Sequence, residues 1–144
     1  MVQEPYEIEF VSKIDNLPLI GDFISDTLTR FRADAATIYK VQLAVDEACT
    51  NIINYAYSGG AGPLKIALEL AGEDIMITIR DKGKPFDPTS IPPPDISSGV
   101  DQRKIGGLGI YFMKKLMDSV SYSFDSREGN RLTMRKNYHT APEP

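Results

Sequence analysis

Alternating and helical hydrophobic patterns succeed one another along the chain and divide it into elements. Tyr6, Ile8 and Phe10 are apolar at every second position, the period of a strand buried on one face. Ile20, Phe23, Ile24, Thr27, Leu28 and Phe31 then recur at helical spacing, with Asn16 ahead of Leu17 and Pro18 as the expected N-cap. Asp34 reads as the next cap. From Ala35 to about Tyr57 the positions Ile38, Val41, Val45, Ala48, Ile52 and Tyr55 mark one stripe of a long amphipathic helix, which the glycine-rich run SGGAGP ends.

Two alternating segments follow, Leu64, Ile66, Leu68, Leu70 and then Ile75, Ile77, Ile79, separated by 71–74 at hairpin length. Residues 82–105 keep neither period and carry Pro85, Pro88, Pro92, Pro93 and Pro94, so they predict a long loop of the kind that serves as a lid or binding loop. After GGLG, the residues Ile110, Met113, Leu116 and Met117 return to helical spacing. Val120, Tyr122, Phe124 and then Leu132, Met134 alternate on either side of a turn at 127–130, a terminal hairpin. Neither an internal repeat nor an interdomain linker interrupts this order. It predicts an α+β fold, a two-layer α/β sandwich with a mixed, mostly antiparallel sheet and helices on one face, as one domain over 1–138 with 139–144 as a tail.

Composition narrows the classes. The chain has 144 residues, 42% hydrophobic and 25% charged, which suits one globular domain. A net charge of −4 gives no global attraction to phosphate backbones, so no nucleic-acid partner is expected. Cys49 is the single cysteine, with no disulfide partner and no companions at metal-ligand spacing. No apolar run approaches the ~20 residues that cross a bilayer, and MVQEPYEIEF lacks the basic and apolar regions of a signal peptide, so the expected location is the cytoplasm, without membrane contact.

Three groups of residues carry candidate chemistry. Glu47, Asn51 and Asn54 stand four and three apart on the long helix and read as a polar face separate from its apolar stripe. An amide oxygen there can hold Mg²⁺, and a carboxylate can orient or deprotonate a hydroxyl; the same residues are also ordinary exposed helix positions. Asp81 shares the alternation of Ile75, Ile77 and Ile79, so it points into the gap between sheet and helices, where it can accept from an exocyclic amine such as that of adenine. Gly83 leaves room for backbone and base to approach. Gly106, Gly107, Leu108 and Gly109 lead directly into a helix, and unobstructed amides at a helix start suit phosphate oxygens. No Gly-Lys-Ser/Thr follows, and the spacing is not GxGxxG.

Taken in order, EACTN, DKGKPFDP and GGLG specify metal, base and phosphate contacts around one nucleotide, and here the sequence resembles the GHKL (histidine kinase-like) ATPase superfamily. DxGxPFDP, GGLGIYFMKKLMDSVSY and EGNRLTMRK make it similar to the anti-sigma-factor serine/threonine kinases of that superfamily, over Val41 to Lys136. The resemblance implies a Bergerat-type ATP-binding fold. Its expected cofactors are ATP and Mg²⁺. It implies Glu47 as general base, Asn51 as Mg²⁺ ligand, Asp81 as adenine contact and Gly83 beneath the base. Gly106, Gly107, Leu108 and Gly109 would close over the triphosphate at the end of the lid. Asn54 stands where relatives carry Asn or His, and Lys104, with Arg103, is placed by position to neutralise phosphoryl charge. Lys82 and Lys84 read as solvated loop charges, and His139 as a surface residue. The implied partners are a STAS-domain anti-sigma antagonist as phosphoacceptor, a sigma factor, and a second copy in a homodimer. The alternative is an ATP-dependent partner-binding regulator without kinase activity.

Overall fold

The computed structural model describes residues 5–58, 60–85, 87 and 107–138. Strand β1 (Tyr6–Val11) is followed by a 3-10 turn (Ile14–Asn16), helix α1 (Leu17–Arg30) and helix α2 (Ala35–Asn51). The chain then makes a π-helical turn (Ile52–Ala56) and forms the hairpin of β2 (Pro63–Ala71) and β3 (Asp74–Asp81). Helix α3 (Gly107–Leu116) and the hairpin of β4 (Ser119–Asp125) and β5 (Gly129–Asn137) complete it.

The strands form one sheet in the order β1-β2-β3-β5-β4, and the helices form the second layer against it. The α+β sandwich is as the sequence predicts, but the sheet is not mixed: every pairing is antiparallel. The chain between β3 and β4 passes over one strand position. β4 therefore runs parallel to β3 two places away, and β5 turns back into the gap and pairs antiparallel with both.

Register places one apolar row across the helix-facing side of the sheet, Ile8, Ile66, Ile79, Leu132 and Tyr122. Against it pack Ile20, Ile24 and Leu28 of α1 and Val41, Val45 and Ala48 of α2, all buried. Cys49 is fully buried in the same layer, and burial raises its thiol pKa. No helix of the described residues is long and apolar enough to cross a membrane.

Asp34 caps α2 as expected, accepting from the Thr37 N–H at 3.0 Å. Asn16 does not cap α1. It is already in helical geometry (φ −89°, ψ −8°), whereas a capping side chain needs extended backbone, and its amide donates instead to the Val11 carbonyl at 2.7 Å.

Candidate functional site

The next row of the sheet reads Phe10, Leu64, Asp81, Asn130, Phe124, so two polar residues stand side by side at inward positions of neighbouring strands. They lie on the wall of a cleft partly open to solvent. Ala48, Ile52 and Ala56 line its helical side, Met113 comes from α3 and Leu132 from β5. Its polar groups are Asn51, Tyr55, Asp81, Lys84, Tyr122 and Asn130.

Asp81 is only 7% exposed and faces inward, as its alternation predicts. Its Oδ1 accepts from the Gly83 N–H at 2.8 Å and from Asn130 Nδ2 at 2.9 Å. Its Oδ2 accepts no hydrogen bond among the described residues. Burial raises its pKa, and the donors Asn130 and Gly83 oppose that rise.

Asn130, 5% exposed, also donates to the carbonyls of Gly83 (3.1 Å) and Lys84 (3.0 Å), while its Oδ1 accepts from the Tyr122 hydroxyl. A polar residue at an inward position of β5, in phase with Leu132 and Met134, is the signal that could have found it. Tyr122 was legible only as an apolar position of a strand.

Gly83 meets a constraint other than the one expected of it. A Cβ here would fall 2.2 Å from the Ala56 carbonyl oxygen, and the next amide, of Lys84, donates to that same oxygen at 2.7 Å. The turn after β3 thus lies directly on the end of the π-helical turn, and glycine permits that contact. Tyr57 completes the junction: its hydroxyl donates to the Pro63 carbonyl at 2.6 Å and accepts from the Lys82 N–H at 2.7 Å. Lys82 is not merely a solvated charge, since its ammonium donates to the Arg127 and Glu128 carbonyls at 3.0 and 2.9 Å. Lys84 lies in the cleft lining.

The helical candidates separate. Asn51 is 9% exposed and lines the cleft beside Ala48 and Ile52, so it belongs to the apolar stripe's side rather than to a separate polar face. Its amide makes no hydrogen bond among the described residues. Neither Glu47 on α2 nor Asn54 in the π-helical turn lines the cleft. Asn54 is exposed, and Glu47 is half-buried, with its pKa raised by desolvation and then by neighbouring Asp46. Gly107, Leu108 and Gly109 form the first turn of α3, as the glycine run predicts. Lys104, Arg103, Gly106 and the expected lid over 88–105 lie outside the described residues, as do His139 and the expected tail.

A buried carboxylate on a strand and, on the facing helix, a buried amide without a hydrogen-bond partner among the described residues share this cleft, which α3 borders through Met113. A profile of the histidine kinase-like ATPase domain matches residues 10–136, and the chain belongs to that family. Among curated proteins it is similar to serine-protein kinases. It is 29% identical over 137 residues to the serine-protein kinase RsbW of Bacillus cereus (strain Q1), across 92% of this chain and 84% of that one. The same figures hold for RsbW of Bacillus thuringiensis subsp. konkukian (strain 97-27). Among solved structures, the RsbU and RsbW domains of a Mycobacterium tuberculosis protein share the fold, with a TM-score of 0.66 at 17% identity. That alignment covers 97% of this chain and 34% of the other, so the chain spans about a third of it. A blue-light activated histidine kinase domain from Erythrobacter litoralis matches with a TM-score of 0.52 at 20% identity, over 86% of this chain and 60% of that one.

Proposed function

We propose that the protein is a cytoplasmic serine/threonine kinase of the anti-sigma type, which binds Mg-ATP in this cleft and phosphorylates a STAS-domain anti-sigma antagonist. The observation that carries the reading is Asp81: a buried carboxylate with one oxygen occupied by two protein donors and the other left to the cleft. Leaving such an acceptor without a donor costs on the order of 1–3 kcal/mol. The 6-amino group of adenine is a donor that fits it, between the apolar walls of Ile52, Met113 and Leu132.

Asn51 fits the metal end for the same reason. Its buried amide has no protein partner among the described residues, and an amide oxygen is the hard ligand that Mg²⁺ takes. Mg-ATP held there would supply the γ-phosphoryl group, with the metal offsetting the charge on its oxygens. The start of α3 at Gly107 to Gly109, with Gly106 and Lys104 before it in the sequence, would supply the first-turn backbone N–H groups for the phosphates. Glu47, whose raised pKa makes it a better proton acceptor, takes the proton from the acceptor serine or threonine hydroxyl. Asn54 has no part in this reading. Sequestration of a sigma factor and a homodimeric state complete the proposal by likeness to RsbW-type kinases.

One observation favours a second reading, an ATP-dependent regulator that selects partners without phosphorylating them: Glu47 lies outside the cleft lining. Incubating the protein with labelled Mg-ATP and STAS-domain proteins of the same genome separates the two. Label on a serine or threonine is expected. Tight ATP binding with no transfer to any of them would overturn the kinase. Glu47→Gln is expected to bind ATP within about twofold of the parent, since the near-isosteric amide keeps the side chain's shape outside the cleft lining, while losing transfer by at least ~100-fold.

A further inference from the structure

The polar network around Asp81 contains one residue whose chemistry reaches beyond holding the strands together. Asn130 Nδ2 faces three acceptors, Asp81 Oδ1 and the carbonyls of Gly83 and Lys84, so the amide nitrogen must occupy that end. The amide oxygen is then turned to β4, where the Tyr122 hydroxyl donates to it. The three acceptors thus set which way the Asn130 amide points, Tyr122 holds it there by giving its oxygen a donor, and Asn130 in turn helps to hold Asp81. Two donors on Oδ1 stabilise the ionised carboxylate, and an ionised carboxylate can only accept at Oδ2.

We propose that Asn130, held in orientation by Tyr122, is a specificity-determining positioning residue: by keeping Asp81 acceptor-only, it makes the cleft select 6-amino over 6-oxo purine nucleotides. The proposal rests on the ATP-binding reading above. A neutral carboxylic acid in the same place would present a donor as well as an acceptor, and would serve a 6-oxo group as readily as a 6-amino group. Burial pushes Asp81 toward that neutral form, and among side chains the Asn130 amide is what opposes it. The cations nearby do little of this work. Lys82 spends its ammonium on the Arg127 and Glu128 carbonyls, and the groups that act on the Asp81 carboxyl against burial are Asn130 and the Gly83 N–H. The Asn130 amide also holds the two carbonyls that begin the loop after β3. Base selection and the root of that loop therefore share one hydrogen-bond network.

The test compares ATP, GTP and ITP binding to the full chain by calorimetry. The parent protein is expected to prefer ATP over both 6-oxo nucleotides by about 100-fold, the scale of a mispaired buried polar contact. In Asn130→Leu, which keeps the volume and removes the donor, the preference should shrink to within about tenfold. Tyr122→Phe, which keeps the ring and removes only the hydroxyl, should give an intermediate preference. Affinities for all three nucleotides falling together, with the preference intact, would show a purely structural role and overturn the proposal. If Asn130→Leu does not fold, Tyr122→Phe decides: an unchanged preference there refutes the orientation argument. A parent protein that binds no ATP defeats the ATP-binding reading itself, a different outcome from ATP preference persisting in the variants.

Discussion

The two ends of the cleft are built on opposite principles. At the sheet end, Asp81 and Asn130 are joined to each other and to Gly83, Lys84 and Tyr122. At the helix end, Asn51 is as buried as they are, yet its amide has no partner among the described residues, and neighbouring Glu47 has no ion pair there either. The protein finishes the first end itself and leaves the second to be finished by what binds. The sheet end should therefore behave as preformed under mutation. At the helix end, binding should be separable from stability.

The largest effect is expected where the preformed end meets the helix. Gly83→Ala drives a methyl group to 2.2 Å from a backbone carbonyl that cannot rotate away, so the turn or the π-helical segment must move. A loss of about 3 kcal/mol in urea denaturation is expected, with ATP binding abolished; a parent-like melt would mean that the two ends are not rigidly joined.

Asp81→Asn should separate recognition from folding. The asparagine oxygen can accept from the same two donors, but its nitrogen meets an incoming amine donor to donor. ATP affinity should fall by about 100-fold, with the fold intact. The sign of the pH dependence follows from the direction of the shift. With its folded pKa raised, the carboxyl's contribution to stability is full below the unfolded value and is lost as pH rises through the folded one. Parent stability should therefore decline relative to Asp81→Asn across and above the ordinary aspartate range, and urea melts at stepped pH read this directly.

The smallest effect on the fold is expected at the unfinished end. Asn51→Leu replaces an unsatisfied buried amide with an apolar group of similar size, and stability should stay level or rise by about 1 kcal/mol. The Mg²⁺-dependent part of ATP affinity should disappear, seen by titrating ATP with and without the metal. A clear loss of stability would show that the Asn51 amide is already satisfied by the protein.

Much of this was legible in the chain because it is local. Each hairpin announces itself by alternation and a short turn, and Asp81 could be placed by counting parity from Ile79. What escaped depends on distant neighbours. The acceptors of the Asn130 amide nitrogen lie 46 to 49 residues away, so only the register of β3 against β5 brings them together. Asn51 read as exposed because its residue type usually is, while its neighbours Ala48 and Ile52 decide otherwise. The π-helical turn has no period of its own and was read as more of α2. The antiparallel sheet follows from β5 inserting between β3 and β4, which the order of elements along the chain does not specify.

Cys49 gives the molecule a built-in clock. Its thiol is fully enclosed and held protonated, so a thiol reagent can reach it only when α2 lifts from the sheet. Because the chain contains no other cysteine, the labelling rate reports that opening alone, without an added probe. A ligand that bridges Asn51 on α2 and Asp81 on β3 should slow the clock, and the degree of slowing would measure how firmly it holds the two layers together.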